Sequence, residues 1–222
     1  QSRKNLKRAG EIELRDLRKK QKSDLQWPRH DNLRDDGGTK TAMVNGSPKW
    51  HISLVLRHGA KMNAILVFPG FQLLDAAGPI SVFEIASRVA GTRAPIKVVS
   101  ATPGEVRSSS GVALMAQGFK SANGARTLLV SGGLGVTNAI RCKRTLSLVR
   151  AAARRGCRVA SVCSGAYILA EAGLLSGRHA TTHWNRTSHF MARYPDVKLE
   201  PDRIFVRDGD IWSSAGISAG ID

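Results

Sequence analysis

The chain has 222 residues, of which 42% are apolar, so it is long enough for one domain with a hydrophobic core. It carries 34 Lys and Arg against 17 Asp and Glu, a formal net charge of +17. Such a charge favours contact with nucleic acid or other anionic surfaces, unless much of the excess lies in the N-terminal segment and says little about the folded domain. No apolar run approaches the roughly 20 residues that a membrane span needs, so we expect no membrane partner.

Cysteine and glycine spacing excludes several kinds of site. Cys142, Cys157 and Cys163 are odd in number and irregularly spaced, which argues against disulfides and predicts a reducing, cytoplasmic location. No CxxC or paired Cys/His spacing is present, so we predict no metal. The glycines fit neither a dinucleotide fingerprint nor a P-loop, and we predict no cofactor.

Residues 1–61 are charged and poor in branched apolar residues. Four apolar residues are spaced for one short amphipathic helix: Leu6, Ile12, Leu14 and Leu17. Because such a segment buries too little apolar surface to offset its chain entropy, we predict a disordered basic extension. Two alternatives stay open, a basic arm that touches nucleic acid and non-native sequence upstream of a start at Met62.

From residue 62 to 222 the sequence alternates between strand and helix patterns, and we predict one domain over this range. Runs rich in branched apolar residues predict strands at 64–68, 96–100, 127–131 and 158–162. The run at 64–68 is continuously apolar, and it and the run at 127–131 are predicted to be buried. Helical spacing predicts helices from Pro79 to 90, over 138–156, over 166–175 and through 186–194. A short hairpin or a pair of edge strands is predicted around Gly111, and two strand-like pieces follow at 203–208 and 210–216.

This alternation predicts an α/β fold with a parallel sheet that is covered by helices on both faces. Ligands bind such sheets at the carboxyl ends of the strands. Asp75, Gly132, Gly133 and Cys163 each follow a predicted strand, so we expect them to converge there.

Cys163 lies where the run RVASV ends and a helical pattern begins, after Ser164 and Gly165. A tight strand-to-helix turn would strain this residue and aim its side chain out of the sheet, with Gly165 permitting close backbone approach. The following helix N-terminus is expected to lower the pKa of the thiol and favour the nucleophilic thiolate. The alternative is a buried cysteine that serves as a small apolar residue, and we assign that role to Cys142 and Cys157.

Other candidate groups surround this corner. The amides of Gly133 and Ser164, with Gly132 beside them, could stabilise an oxyanion. His183 could act as a base or orient the thiolate, unless it is purely structural. Asp75 could exchange a proton or hydrogen bond with the sulfur or a ligand, or it could cap a helix before Pro79.

Several longer stretches carry a family resemblance: FPGFQLLDAAGPISVFEIA, SVCSGAYILAEAGLLSGRHATTHW, RYPDV and SAGISAGID. They resemble the ThiJ/PfpI superfamily, whose fold is similar to the class-I glutamine amidotransferases. That resemblance implies a flavodoxin-like sandwich with a nucleophile elbow. Cys163, Asp75 and His183 match the family's elbow cysteine, its acidic residue after strand one and the histidine of its TTH segment.

Within that superfamily the stretches are similar to the GlxA family of AraC-type transcriptional regulators, in which a helix-turn-helix DNA-binding domain follows an amidase-like domain. The resemblance implies a ligand-sensing domain that binds an unknown small molecule as a homodimer. It also implies that DNA is bound only through a C-terminal domain. Because the sequence stops at Asp222, before that domain, we expect a truncated regulator.

The same stretches also resemble isonitrile hydratases of the superfamily. This alternative implies a cysteine-dependent hydratase or amidase-like hydrolase, in which Cys163 attacks a carbon and Asp75 or His183 moves protons. The hydratases carry a threonine after the elbow cysteine, and this chain has Ser164 there, which keeps the hydroxyl group. Whether the protein is an enzyme is left open by the sequence.

Overall fold

The computed structural model describes residues 62–216 and 218–221. The predicted N-terminal extension, 1–61, lies outside the described residues, so the predictions made for it stay predictions. Over the described part of the chain, no helix is both long and apolar enough to cross a membrane.

Ten strands and five helices make up the described domain. The strands are β1 (Asn63–Leu66), β2 (Ile96–Val99), β3 (Gly104–Arg107), β4 (Ala113–Ala116), β5 (Thr127–Val130), β6 (Arg158–Val162), β7 (His179–Ala180), β8 (Lys198–Leu199), β9 (Phe205–Asp208) and β10 (Ile211–Ser214). The helices are α1 (Leu73–Val89), α2 (Val136–Ala139), α3 (Lys143–Arg154), α4 (Ala166–Glu171) and α5 (Thr187–Arg193).

The central sheet has six strands in the order β2-β1-β5-β6-β10-β9. Every neighbouring pair is parallel except β10 and β9, which are antiparallel and joined by a tight turn at Gly209. The strands β1 and β5 are buried along their whole length, as continuous apolar runs predict for a sheet covered on both faces. The predicted α/β class with a flavodoxin-like parallel sheet is confirmed.

The hydrophobic core joins the sheet to its flanking helices. Ile65 and Leu128 are fully buried strand residues, and Leu148, Ile168 and Phe190 are buried residues of α3, α4 and α5. Complete burial of such side chains stabilises the fold by about 2 kcal/mol each before chain entropy is subtracted. The core therefore fixes the carboxyl ends of β1, β5 and β6 next to one another.

The first helix begins earlier than predicted. We predicted a helix from Pro79, because proline is favoured in the first turn of a helix. Instead α1 starts at Leu73 and contains Pro79 in its interior. Burial of Ala76, Gly78 and Pro79 itself offsets the lost hydrogen bond, and Asp75 lies in the first turn, where the helix dipole favours an acidic residue.

The predicted helix over 138–156 is also wrong, because the chain forms two helices there. Backbone hydrogen bonds from Arg141 to Asn138 and from Cys142 to Ala139 span three residues, which tightens the chain and ends α2. Cys142 then adopts an extended conformation and precedes α3. The predicted end at Gly156 is confirmed, since this glycine has a φ of 70° just after the helix.

The predicted hairpin around Gly111 is confirmed by the antiparallel pairing of β3 with β4. Its turn reaches the carboxyl edge of the main sheet, because Phe71 makes bridges to both Ser108 and Gly133. The two-residue strands β7 and β8 pair with each other and were not predicted. Strands this short have no periodicity that a sequence pattern could reveal.

Candidate functional site

Cys163 occupies the predicted corner between β6 and α4. The strand ends at Val162, a 3₁₀ turn covers Cys163–Gly165, and α4 begins at Ala166. Cys163 has a φ of 59° and is the one non-glycine residue with a positive φ in the described part of the chain. Holding a cysteine in this left-handed region costs on the order of 1–3 kcal/mol, so the surrounding packing must impose it.

Three glycines provide that packing. A Cβ on Gly216 would lie 2.4 Å from the Cβ of Cys163, and one on Gly132 would lie 2.8 Å from the same atom. A Cβ on Gly165 would lie 2.5 Å from the carbonyl oxygen of Val130, which confirms the predicted close approach. Gly216 was not recognised as part of the site from sequence, although it lies in the closing SAGISAGID stretch. The elbow is therefore enclosed by backbone on several sides.

Asp75 lies directly beside the thiol and is fully buried. Its Oδ2 accepts a hydrogen bond of 3.0 Å from the backbone N–H of Gly132, whereas its Oδ1 makes no hydrogen bond of standard geometry. Burial raises the pKa of Asp75 to about 6, against the lowering effects of the Gly132 amide and the Cys163 thiol. The carboxyl group can therefore gain or lose a proton near neutral pH.

The predicted lowering of the Cys163 pKa is wrong. Burial and the nearby charge of Asp75 raise the pKa of this thiol to about 12, and the amide and hydroxyl of Ser164 only partly oppose them. The sequence argument used the helix N-terminus alone, whereas α4 is six residues long and the sulfur is almost completely buried. At neutral pH the sulfur keeps its proton.

The backbone N–H groups of Gly132 and Gly133, two of the three that were predicted to stabilise an oxyanion, already have partners. The N–H of Gly133 donates to the hydroxyl oxygen of Ser164 at 2.9 Å, and that hydroxyl is also 3.3 Å from the carbonyl oxygen of Gly133. The N–H of Gly132 donates to Asp75. An oxyanion at this place would have to displace the hydroxyl of Ser164, so the oxyanion role stays a prediction.

His183 follows β7 and is half-buried. Its Nδ1 accepts a hydrogen bond of 3.3 Å from the backbone N–H of Asn185, so the proton of the neutral ring lies on Nε2. The ring can thus donate a hydrogen bond through Nε2, and among the described residues no hydrogen bond joins it to Cys163. The preceding Thr182 donates to the carbonyl oxygen of Cys163 at 3.1 Å, which ties this segment to the elbow.

A cavity of about 290 Å³ opens over the elbow. Cys163, Ser164, Gly133 and His183 line it, whereas Asp75 lies behind the thiol. Five further lining residues were not predicted: Gln72, Ser109, Leu134, Asn185 and Arg186. They come from four separate segments of the chain. Gln72 lies in the quoted stretch FPGFQLLDAAGPISVFEIA but was not singled out, and only the folded chain brings all five residues together. Among the described residues, no group of three His, Cys, Asp or Glu side chains could hold a metal ion.

The other two cysteines do not line this cavity. Cys157 is buried, and burial raises the pKa of its thiol to about 11. Cys142 is half-buried; although burial opposes the change, hydrogen bonds from Thr145 and the Arg144 amide hold the pKa of Cys142 below its usual range. Of the three cysteines, Cys142 is therefore the one whose thiol ionises most readily.

The model of the DJ-1/PfpI family matches residues 61–222. The chain belongs to the DJ-1/PfpI family. The crystal structure of a ThiJ/PfpI family protein from Pseudomonas syringae is similar to this chain, with a TM-score of 0.62 and 28% sequence identity over 81% of this chain and 72% of that one. This likeness agrees with the α/β fold described above.

The names of the curated relatives refer to different functions, or to none. An "Uncharacterized protein in cpoL 5'region" of Streptomyces lividans is 42% identical over 59% of this chain and 93% of its own length. The "Isonitrile hydratase" of Pseudomonas putida is 34% identical over 71% of this chain and 66% of its own length. The "HTH-type transcriptional regulator CdhR" of Pseudomonas aeruginosa is 30% identical over 71% of this chain. The match spans 46% of that regulator's length.

Proposed function

We propose that this domain senses a small molecule for a transcriptional regulator of the GlxA type. The observation that carries the proposal is the cavity of about 290 Å³ over the elbow, which polar side chains line while the thiol of Cys163 is almost fully buried. Burial and the charge of Asp75 also raise the pKa of this thiol to about 12. A buried thiol that keeps its proton is a poor nucleophile, but it can form a rigid part of the wall of a ligand cavity. The similarity to the regulator CdhR supports the same function.

The cavity lining indicates what kind of molecule would bind. Arg186 is its one permanently charged side chain, and Asn185, Gln72 and the Nε2 of His183 offer further donors. Leu134, which is 72% exposed, adds an apolar rim. We expect a small ligand that carries hydrogen-bond acceptors, such as a carboxylate, next to an apolar part.

Two hydrogen bonds could link ligand binding to a change in structure. The Ser164–Gly133 bond and the Thr182–Cys163 bond hold the cavity loops against the elbow. A ligand that displaces the Ser164 hydroxyl would favour one arrangement of these loops over another, which is the differential affinity that regulation requires. In the whole regulator, we expect a homodimer whose helix-turn-helix domain binds DNA.

The test is ligand binding to the full chain. Thermal unfolding is followed with a panel of small carboxylic acids and with the matched primary amides, in the wild type and in Arg186→Gln. We expect at least one acid to raise the unfolding temperature, with a much smaller rise for its amide and for the variant. Arg178→Gln, which removes a surface arginine away from the cavity, is the control. Binding of the amides with the same affinity as the acids would contradict this assignment.

A second function is supported by a different observation. The isonitrile hydratase relative is 34% identical, and Asp75, whose pKa is about 6, lies beside the sulfur and can carry a proton near neutral pH. In such a reaction the sulfur of Cys163 would bond to the isonitrile carbon while its proton passes through Asp75 to the same carbon. Water would then release an N-substituted formamide and restore the thiol.

This alternative is tested by incubating the protein with an alkyl isonitrile and measuring the formamide. Formation by the wild type that is abolished in Cys163→Ala and in Asp75→Asn would support catalysis. Cys142→Ala, which removes a cysteine outside the cavity, should keep full activity. If no formamide forms while a carboxylic acid binds, the sensing function stands and catalysis is excluded.

A further inference from the structure

Positive charge within the described domain is concentrated in one stretch of the chain. Residues 106–170 contain ten Lys and Arg and no Asp or Glu. The rest of 62–222 contains nine Lys and Arg against ten Asp and Glu. The excess charge of this domain is therefore a local feature, and it is separate from the basic residues of 1–61.

The helix α3 presents much of this charge to solvent. Its exposed residues are Lys143, Arg144, Ser147, Arg150 and Arg154, while Leu146, Leu148 and Val149 on the other side are buried in the core. Arg141 before the helix and Arg155 after it are also exposed. We call this surface the α3 basic face, defined as Arg141, Lys143, Arg144, Arg150, Arg154 and Arg155.

Within the described residues no ion pair joins a carboxylate to the α3 basic face, although the Glu171 carboxylate, which pairs with Arg193, lies near enough to Arg150 to interact with its charge. All six ion pairs there involve other cations. Arg150 donates to the carbonyl oxygens of Glu171 and Ala172, and Arg144 lies over the ring of Phe119. Lys143 lies two turns before Arg150 and Arg154 one turn after it, and both are exposed to solvent.

We propose that the α3 basic face contacts the phosphate backbone of double-stranded DNA. Lys143 and Arg154 are eleven residues apart, which spans about 16 Å along the helix axis. That span exceeds the width of about 12 Å of the major groove, so the two ends of the stripe can reach phosphates on both sides of it. Five of the six cations are arginine, whose planar guanidinium matches a phosphate group.

The composition of the face favours DNA over other anionic partners. Its exposed side chains include no large apolar residue, whereas the centre of a protein interface is apolar and aromatic. The apolar side of α3 is buried in the core, so the helix cannot insert that side into a membrane surface. The choice of DNA as the polyanion also rests on the proposed function, in which a regulator already lies on DNA.

The test compares two double variants of the full chain that remove the same charge. Lys143→Gln with Arg154→Gln lowers the charge of the α3 basic face, and Arg93→Gln with Lys198→Gln removes two exposed cations elsewhere. Binding to a labelled duplex of mixed sequence is measured by fluorescence anisotropy over a range of KCl concentrations. Circular dichroism checks that both variants remain folded.

We expect the first variant to bind more weakly, with a logarithmic salt slope reduced by about 2, since each phosphate contact contributes about 0.9. Raising KCl from about 50 to about 200 mM would then weaken the wild type about 12-fold more than this variant. The control should keep the wild-type slope. Because residues 1–61 are basic as well, it is this difference between the variants that carries the conclusion.

Three results would overturn the proposal: no duplex binding by the wild type at low salt, equal losses in both variants, or loss of binding to phosphatidylserine vesicles without loss of duplex binding. Ligand binding in the cavity is measured separately on the same proteins. If the sensing function is wrong, no ligand will bind in the cavity. If the DNA contact is wrong, ligand binding will be unaffected.

Discussion

Replacing Asp75 with asparagine should stabilise the protein at neutral pH. The carboxyl group is fully buried, and its pKa is raised from 3.8 to about 6 in the folded state. Between these two values the folded protein binds more protons than the unfolded chain, so the free energy of unfolding falls as pH rises. The asparagine side chain would have no charge to desolvate, and its carbonyl oxygen could still accept from Gly132.

The size of this effect follows from the two pKa values. The ionised carboxylate lowers the wild-type free energy of unfolding by about 0.5 kcal/mol at about pH 4, about 1.6 kcal/mol at about pH 5 and about 3 kcal/mol at about pH 7.5. Asp75→Asn should recover up to these amounts. The advantage of the variant must therefore grow through the window from about pH 4 to 6 and level off above it.

Urea denaturation of the full chain at several pH values measures this advantage directly. Asp202→Asn, a substitution of the same chemistry at an exposed site, should change stability little at any pH. Refutation would be a variant that is less stable than the wild type at neutral pH, or a constant difference between the two from pH 4 to 8. Either result would mean that Asp75 is stabilised as a carboxylate by contacts that outweigh its burial.

Three further predictions concern the same corner of the fold. Iodoacetamide at neutral pH should modify Cys142 before Cys163, as followed by peptide mass spectrometry, because the pKa of the first thiol is lowered and that of the second is about 12. Asp75→Asn should speed modification of Cys163, since the charge that raises its pKa is gone; an unchanged rate would show that burial alone protects the sulfur. Gly216→Ala should destabilise by more than about 3 kcal/mol through its clash with Cys163, whereas Gly111→Ala, at a similar φ but in open space, should cost only about 1 kcal/mol by thermal unfolding.

Much of the fold could be predicted because its signals are local. The runs that became β1, β2, β5 and β6 are short and rich in branched apolar residues, and their alternation with helices implies a parallel sheet. The helix bounds were predicted wrongly where tertiary contacts override the local helical preference of the sequence. Pro79 suggested a helix start, yet its burial against the core keeps it inside α1, and the turn at Cys142 interrupts a sequence whose helical spacing continues.

The residues at the elbow of the candidate site could be predicted from the sequence, but most of the other residues that line the cavity could not. Cys163, Ser164 and His183 could be found because motif spacing places them after strands, and the structure places all three along one cavity. Arg186 and Ser109 could not be found in this way, because their nearness to the elbow depends on the path of two separate segments of the chain. Gly216 could not be recognised from the sequence either. The need for a glycine there is evident only when its neighbour, the Cβ of Cys163, is known.

The sign of the Cys163 pKa shift shows why an elbow motif does not by itself indicate a nucleophile. A helix N-terminus and the Ser164 amide favour the thiolate, but burial and a carboxylate in contact with the sulfur oppose it and are the larger effects. Asp75 itself has a pKa of about 6, so one site contains an acid that is partly ionised near neutrality and a thiol that is not. A ligand that brings positive charge near the sulfur, or that neutralises Asp75, would lower the thiol pKa. The cavity could therefore serve either proposed function, sensing or hydration, with the difference set by which ligand lies against Asp75 and Cys163.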